Sequence, residues 1–152
     1  MMVKLFLKWL ERKGRKSVIM DRDGTTPYLT RYYVAYPDHD QRQREDIPFN
    51  VFIHQFMKSD DPVCHDHPWN YLTIVLKGGY WEHFIDGTKK WRGPGSIVLS
   101  RGNYHWVEIE HPGKTWTLFF RGKKRKDWGF WDEEKGRWVH WKKYLDSKRK
   151  KV

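Results

Sequence analysis

Three histidines carry the clearest chemistry in this sequence. His65 and His67 are one residue apart, so on an extended segment both imidazoles project to the same face. His105 lies forty residues after His65, directly behind a turn at 101–104. A sheet that folds back at the glycine pair 78–79 would bring His105 beside the other two. Because imidazole is a ligand for divalent transition metals, the pattern predicts one shared metal site. The alternative is that all three are hydrogen-bonded pocket residues.

Glu82 is the carboxylate best placed to join this site. It follows the glycine pair on the returning strand and alternates with Tyr80 and Phe84, so it shares their predicted buried face. A buried carboxylate must be paired, protonated or functional. Three roles stay open for Glu82: a fourth metal ligand, a base or a residue that orients a histidine, and an exposed or structurally paired group.

Aromatic and histidine side chains near these positions are candidates to line a pocket. Trp69, Tyr80 and Trp106 lie at strand spacing, where aromatic side chains are equally typical of a core. His54 lies on a neighbouring strand and faces either the pocket or the outside. Tyr71 is a candidate catalytic group, together with Glu82, that would orient a substrate or move a proton.

Other polar residues near the histidines are expected to have structural roles. Cys64 is interpreted as a small buried hydrophobe rather than a reactive thiol. Asp66 alternates away from its two histidine neighbours and is expected in a turn or at the surface. Asp60 and Asp61 are interpreted as loop caps, and His140 as a structural residue.

The elements that must position these residues are mainly strands. Short runs of β-branched and aromatic residues are separated by turn residues such as those at 86–87 and 93–95. The predicted strands are 17–21, 28–36, 48–57, 69–77, 80–85, 88–92, 96–100, 105–110, 115–121 and 128–131. The segment 37–46 is predicted to be an exposed loop and 141–148 a final helix. This spacing predicts an all-β antiparallel sandwich or barrel.

The chain divides into three predicted parts. Apolar residues recur at helical spacing from Val3 to Leu10 and predict a short amphipathic helix, within 1–16, that docks on the body. The barrel is 17–126, and 127–152 forms a C-terminal extension with a basic tail. Lysines interrupt the apolar stretch of the helix, which does not fit a secretory signal, and no segment approaches the ~20 apolar residues of a membrane span. With a single cysteine, these features predict a cytoplasmic protein.

Composition limits the class of protein and its partners. A chain of 152 residues with 17% aromatic residues is one domain and is not disordered. The net charge of +11 lies at the ends, since 1–22 holds seven Lys or Arg against two acids and 121–152 holds thirteen against five. Such ends are a solvated surface or a weak nucleic-acid contact. The sequence contains no helix-turn-helix, zinc-finger or RNA-recognition motif.

The histidine pattern resembles the cupin superfamily, whose two short motifs flank a hairpin. The first motif matches at His65, Asp66, His67 and Gly78, with Tyr71 in the slot usually held by glutamate. The resemblance implies a double-stranded β-helix, or jelly-roll barrel, that holds a divalent metal. With Tyr71 in the glutamate slot, the implied ligands are three neutral histidines, with Glu82 as a further candidate. This set is similar to that of the thiol dioxygenases of the superfamily, which use iron(II).

The second cupin motif is matched less completely. Gly102 and His105 match it, a glycine falls near Gly93 or Gly95, and Ser100 stands in the slot of a proline. Both motifs together cover 65–105, about a quarter of the chain. Iron(II) is favoured by the resemblance, while zinc, nickel, copper and manganese stay open because imidazole suits several metals.

A narrower resemblance extends along more of the chain. It covers 56–61, 65–69, 76–82, 92–96, 128–130 and 138–141. These segments are similar to a set of small cupins found largely in bacteriophage and prophage genomes, to which no activity is assigned. The likeness therefore implies the fold and the metal rather than a reaction.

Three functions are compatible with the sequence. The first is a metal-dependent enzyme, an oxygenase of the iron(II) type or a related isomerase or lyase, acting on a small molecule. The second is a non-catalytic barrel that binds a small molecule or nucleotide. The third is a nucleic-acid accessory protein that uses the basic ends. Because cupins commonly pair through strand edges, the resemblance also implies a homodimer.

Overall fold

A computed structural model describes residues 1–37 and 47–150. Within them lie two helices and eleven strands. In chain order these are α1 (Met2–Arg12), β1 (Lys16–Met20), β2 (Pro27–Tyr33), β3 (Phe49–Phe56), β4 (Tyr71–Lys77), β5 (Tyr80–Phe84), β6 (Lys89–Arg92), β7 (Ile97–Ser100), β8 (His105–Glu108), β9 (Thr115–Gly122), β10 (Gly129–Asp132), β11 (Arg137–His140) and α2 (Trp141–Arg149).

The strands form two antiparallel layers. The first sheet has six strands in the order β1-β2-β3-β9-β4-β7, and the second contains β6-β5-β8. A hairpin of β10 and β11 extends the second layer, because the backbone of His65 bridges His105 of β8 on one side and Phe130 of β10 on the other. Two facing antiparallel sheets joined by crossovers make a jelly roll. The predicted all-β jelly roll is confirmed.

The strand boundaries differ from the prediction by up to three residues, and strand β11 was not predicted. The strand expected over 28–36 ends at Tyr33, because the Asn50 side chain bonds both backbone groups of Tyr36 at 3.0 and 3.2 Å. The strand expected from residue 69 begins at Tyr71, and the backbone of His65 pairs with strands of the second sheet. Most of the predicted loop 37–46 lies outside the described residues.

Helix α1 lies on the outer face of the first sheet. Leu10 is completely buried there against Tyr32 and Ile53, with Leu7 packed beside them. The predicted docking helix therefore forms, and it covers the part of the sheet made by β2 and β3. Among the described residues, no helix is long and apolar enough to cross a membrane.

The crossing from the first sheet to the second depends on two glycines. Gly78 and Gly79, between β4 and β5, have φ angles of 76° and 143°, which disfavour residues with a side chain. A Cβ on Gly78 would also lie 2.6 Å from the Lys114 carbonyl oxygen. After this turn the chain enters the second sheet, where β5 places Glu82 beside the histidines. Beside it a cluster of Val75, Tyr80, Val107 and Ile109 fills one end of the space between the sheets.

Candidate metal centre

The structure brings His65, His67 and His105 together. One ring nitrogen from each lies within 4.8 Å of the others, and the Nε2 atoms of His67 and His105 are 3.0 Å apart. Reciprocal backbone hydrogen bonds of 2.9 and 3.0 Å fix His65 against His105. An imidazole nitrogen lies about 2.1 Å from the metal it binds, so two nitrogens on one ion are at most about 4.2 Å apart, and the 3.0 Å pair of His67 and His105 meets this limit. The donor set therefore fits a divalent transition metal.

Glu82 holds one of the three histidines in place. Its Oε1 accepts a 2.7 Å hydrogen bond from Nδ1 of His105, which leaves Nε2 of that ring facing the cluster. Its Oε2 accepts from Nε and Nη2 of Arg92, both at 2.7 Å. Glu82 is only 4% exposed. Burial alone would raise the pKa of Glu82, but the bonds from His105 and Arg92 outweigh it and lower the pKa. In this geometry Glu82 orients a histidine, as carboxylates behind metal ligands commonly do.

Tyr71 stands beside the histidines. Its hydroxyl oxygen is 3.3 Å from Nε2 of His105, and its ring stacks on Phe119 with centroids 4.8 Å apart. Burial, with the nearby Glu82 charge, raises the pKa of Tyr71 well above its usual value, so the hydroxyl keeps its proton. It is therefore a hydrogen-bond donor placed next to the cluster.

Burial keeps the imidazoles of His65 and His67 neutral. It lowers the pKa of His67 well below its usual value, and it lowers that of His65 against a partly opposing effect of Asp60. Only a neutral imidazole has a lone pair for a metal, so the interior prepares both rings for binding.

A cavity of about 320 Å³ opens between the sheets beside the cluster. Of the residues predicted to line a pocket, it is lined by His54, Trp69 and Tyr80. The prediction for Trp106 needs correction, since Trp106 stacks on His83 with ring centroids 3.7 Å apart. Side chains alternate along β8, so Trp106 points away from the face that carries His105.

His54 is buried within the cavity wall. Its Nε2 accepts a 3.0 Å hydrogen bond from Nε of Arg31, and burial, with the Arg31 charge, holds the pKa of His54 well below its usual value. Arginine only donates, so the single proton of the neutral ring lies on Nδ1.

This burial predicts a pH dependence of stability. The unfolded chain protonates His54 below about pH 6.5 while the folded protein does not, so the free energy of unfolding falls as the pH falls. We expect His54 alone to account for a loss of about 2 kcal/mol between pH 7 and pH 5. Urea unfolding at both pH values should show that loss reduced in His54→Gln and unchanged in a variant of the exposed His111, His111→Gln. An identical pH dependence in all three proteins would contradict the assignment.

Asp66 is the largest departure from the sequence interpretation. It was expected in a turn or at the surface, yet it is completely buried. Its carboxylate accepts from the Gly129 backbone at 2.8 Å, from the Trp138 indole at 3.3 Å and from Lys126. Alternation does turn Asp66 away from the histidines, but the β10–β11 hairpin covers that side.

The remaining predicted residues have structural contacts. Asp60 accepts from the Val107 backbone at 2.8 Å and from the Tyr28 hydroxyl, and its Oδ2 is 4.0 Å from Nε2 of His65. Burial raises the pKa of Cys64 to about 11, which suits an unreactive thiol. Asp61 pairs with Arg22, and His140 accepts from the Lys142 backbone at the start of α2.

The residues of the site that were not identified from the sequence include Arg31, Arg92, Thr117 and Phe119. Arg92 holds Glu82, and Thr117 lines the cavity. The turn at 86–87 offered a way to find Arg92, because the hairpin register pairs Glu82 with Lys90 and places Arg92 diagonally beside it. Thr117 gave no such indication, since its position depends on the pairing of β3 with the distant β9.

Comparison with known proteins places the chain by its fold. No protein-family model and no curated protein matches it. Ectoine synthase from P. lautus matches with a TM-score of 0.53 and 7% identity over 76% of this chain and 74% of that one. The polyketide cyclase RemF from Streptomyces resistomycificus matches at 0.51 and 19%, over 66% and 68%. The iron(II) form of HppE matches at 0.50 and 12%, over 71% of this chain and 57% of HppE.

These matches and the topology define the class. The protein has a cupin-type jelly-roll fold with three clustered histidines on the wall of an internal cavity. Chains described as cupins also match, at TM-scores below 0.5. The comparisons give no support to a phage origin.

Proposed function

We propose that this protein is a metal-dependent enzyme of the cupin type that acts on a small organic molecule. The observation that carries the proposal is the convergence of His65, His67 and His105 at the wall of the cavity between the two sheets. Three protein ligands leave positions open for a substrate, as catalytic sites require. Iron(II) is favoured by the resemblance to the thiol dioxygenases and is the metal named for HppE, while zinc, nickel, copper and manganese remain alternatives.

The bound ion would supply Lewis-acid or redox chemistry. The chain's own residues would prepare the reaction in three further ways. Glu82 fixes His105 in one tautomer, so that Nε2 stays a ligand. Tyr71 keeps its proton and would donate a hydrogen bond, or that proton, to a substrate oxygen beside the histidines. The cavity wall is mainly apolar and includes Phe56 and Phe119, so it would bind the apolar part of a substrate beside the histidines.

Metal analysis tests this proposal. We expect purified wild-type protein to carry close to one equivalent of a transition metal by mass spectrometry, and His65→Ala and His67→Ala to carry almost none. His83→Ala is a matched control, because His83 lies outside the cluster and pairs with Glu108 at 2.6 Å. Iron would direct the search to oxygen consumption with thiols and small acids. Zinc or nickel would direct it to isomerase, lyase or hydrolytic reactions. No metal after anaerobic reconstitution would refute the proposal.

The homodimer is also a proposal, and the first sheet offers a surface for it. On its outer face Ile74 lies between Ile97 and Leu118, and Leu72 lies between Leu99 and Phe120. Ile97 and Leu99 are 65% and 56% exposed. Exposed apolar patches of this kind typically mark interaction sites. Two copies could stack these faces, since sheets pack face to face.

Sedimentation tests the dimer directly. We expect wild-type protein to sediment as a dimer at micromolar concentrations, and Ile97→Lys/Leu99→Lys to sediment as a monomer, because each lysine would place a charge in the buried interface. Val18→Lys, on the opposite edge strand β1, should leave the dimer intact. A monomeric wild-type protein would contradict the proposal.

A further inference from the structure

Within residues 1–37 and 47–150, two buried side-chain polar atoms lack a hydrogen-bond partner, and both belong to residues that line one cavity. Among the described residues, the buried side-chain nitrogen and oxygen atoms without a partner are Nε1 of Trp69 and Oγ1 of Thr117. Both residues line the 320 Å³ cavity. Proteins rarely leave buried polar groups unsatisfied, so such groups in a cavity wall indicate a ligand that completes them.

The surroundings of Thr117 show what kind of ligand atom would fit. Thr117 is 1% exposed and lies directly opposite His54 in the pairing of β3 with β9. The neutral His54 ring carries its proton on Nδ1, because Nε2 accepts from Arg31. The Thr117 hydroxyl and the His54 Nδ1–H are therefore two neighbouring donors on the inner face of the sheet. Two donors side by side suit an oxygen acceptor.

Phe119 lies between this pair and the histidine cluster. Its ring centroid is 5.1 Å from that of His54 and 4.8 Å from that of Tyr71. A flat apolar body resting on Phe119 would reach the cluster at one end and Thr117 at the other. The wall beyond Phe119 is also apolar, since it includes Leu29 and Phe56.

We infer that His54 and Thr117 form a recognition subsite for an oxygen acceptor, a carbonyl or carboxylate group, on a compact and mainly apolar substrate. The inference rests on the proposed function, because it assigns the end of the substrate that faces away from the metal. The subsite lies on β3 and β9, whereas His65 and His67 lie outside these strands. Its binding property can therefore be tested without metal.

The test uses small aromatic probes on metal-stripped protein. Acetophenone carries a carbonyl oxygen, α-methylstyrene has nearly the same shape without the acceptor, and benzoate carries a carboxylate. Calorimetry or ligand-observed NMR would measure their affinities for wild-type protein, for Thr117→Val, which keeps the shape but removes the hydroxyl, and for Thr117→Ser, which keeps the hydroxyl.

We expect acetophenone or benzoate to bind wild-type protein about tenfold more tightly than α-methylstyrene, the effect of one hydrogen bond. The stronger of the two would identify the acceptor as a neutral carbonyl or a carboxylate. Thr117→Val should abolish the tenfold difference, and Thr117→Ser should keep it. Equal binding of all three probes, no saturable binding at millimolar concentration, or an unchanged preference in Thr117→Val would overturn the inference.

Thermal unfolding gives a second, independent readout. Because the Thr117 hydroxyl has no protein partner, Thr117→Val should unfold at the same temperature as wild type or at a higher one. A clear loss of stability would show that the hydroxyl bonds within the protein and would refute the subsite. If the probes bind as expected but no metal is found, the subsite stands and the proposed metal-dependent activity fails.

Discussion

We expect Glu82→Gln to weaken metal binding by about ten- to a hundredfold, the effect typical of losing a carboxylate behind a ligand histidine. The carboxylate accepts from His105 on one oxygen and from Arg92 on the other. A glutamine has a single acceptor oxygen, so its amide N–H₂ would face one of these two donors. His105 would then lose its fixed tautomer, or Arg92 would lose its partner. Competition with a chromogenic chelator measures the change with zinc or iron(II).

Glu108 supplies a matched control for this prediction. It lies on β8, in the same sheet as Glu82, and pairs with His83 at 2.6 Å on the face turned away from the cavity. Glu108→Gln should therefore leave metal affinity unchanged. If both variants bind metal as wild type does, Glu82 does not support the site. If both lose affinity equally, the effect arises from the sheet and not from the bond to His105.

Local sequence patterns were sufficient to predict most of the strands and both helices of this molecule. The alternation around Glu82 and the glycine pair before β5 both involve residues that are close along the chain. Sequence periodicity gives information about such residues. His65 and His67 share a face for the same reason. The meeting with His105 could be predicted because the glycine turn and the cupin resemblance both imply a sheet that folds back. The two helices followed from spacing and position in the same way.

Long-range pairings could not be predicted in this way. Alternation predicts which side of the strand Asp66 faces but not which residues pack there. The donors that contact its carboxylate, at Gly129 and Trp138, are more than sixty residues away in the sequence. Thr117 and His54 meet through the register of β3 with β9, which no nearby turn specifies. The prediction that Trp106 lines the pocket was wrong for a simpler reason. His105 and Trp106 are adjacent on one strand, so their side chains cannot both face the interior.

The most severe loss of stability is expected from removing Asp66. Its carboxylate is fully buried and joins the segment of His65 and His67 to the C-terminal hairpin. Asp66→Ala would leave the Gly129 N–H and the Trp138 indole without their acceptor, and Lys126 without its counterion. The Lys126 side chain is 48% exposed and can be solvated, so the loss comes mainly from the buried donors left without an acceptor, about 1–3 kcal/mol. Urea or thermal unfolding would measure it.

A second substitution and a surface control separate the causes. Asp66→Asn keeps the shape and one acceptor oxygen, so its smaller loss would isolate the part due to the negative charge. Asp127→Ala removes an exposed carboxylate that pairs with Lys124 and His140, and should cost about 1 kcal/mol or less.

The backbone hydrogen bonds Asp66–Gly129 and Trp131–Cys64 join the C-terminal hairpin to the segment that carries His65 and His67. Asp66→Ala should therefore lower metal affinity as well as stability. If the variant is less stable but binds metal as tightly as wild type, the hairpin is not needed to position the histidines.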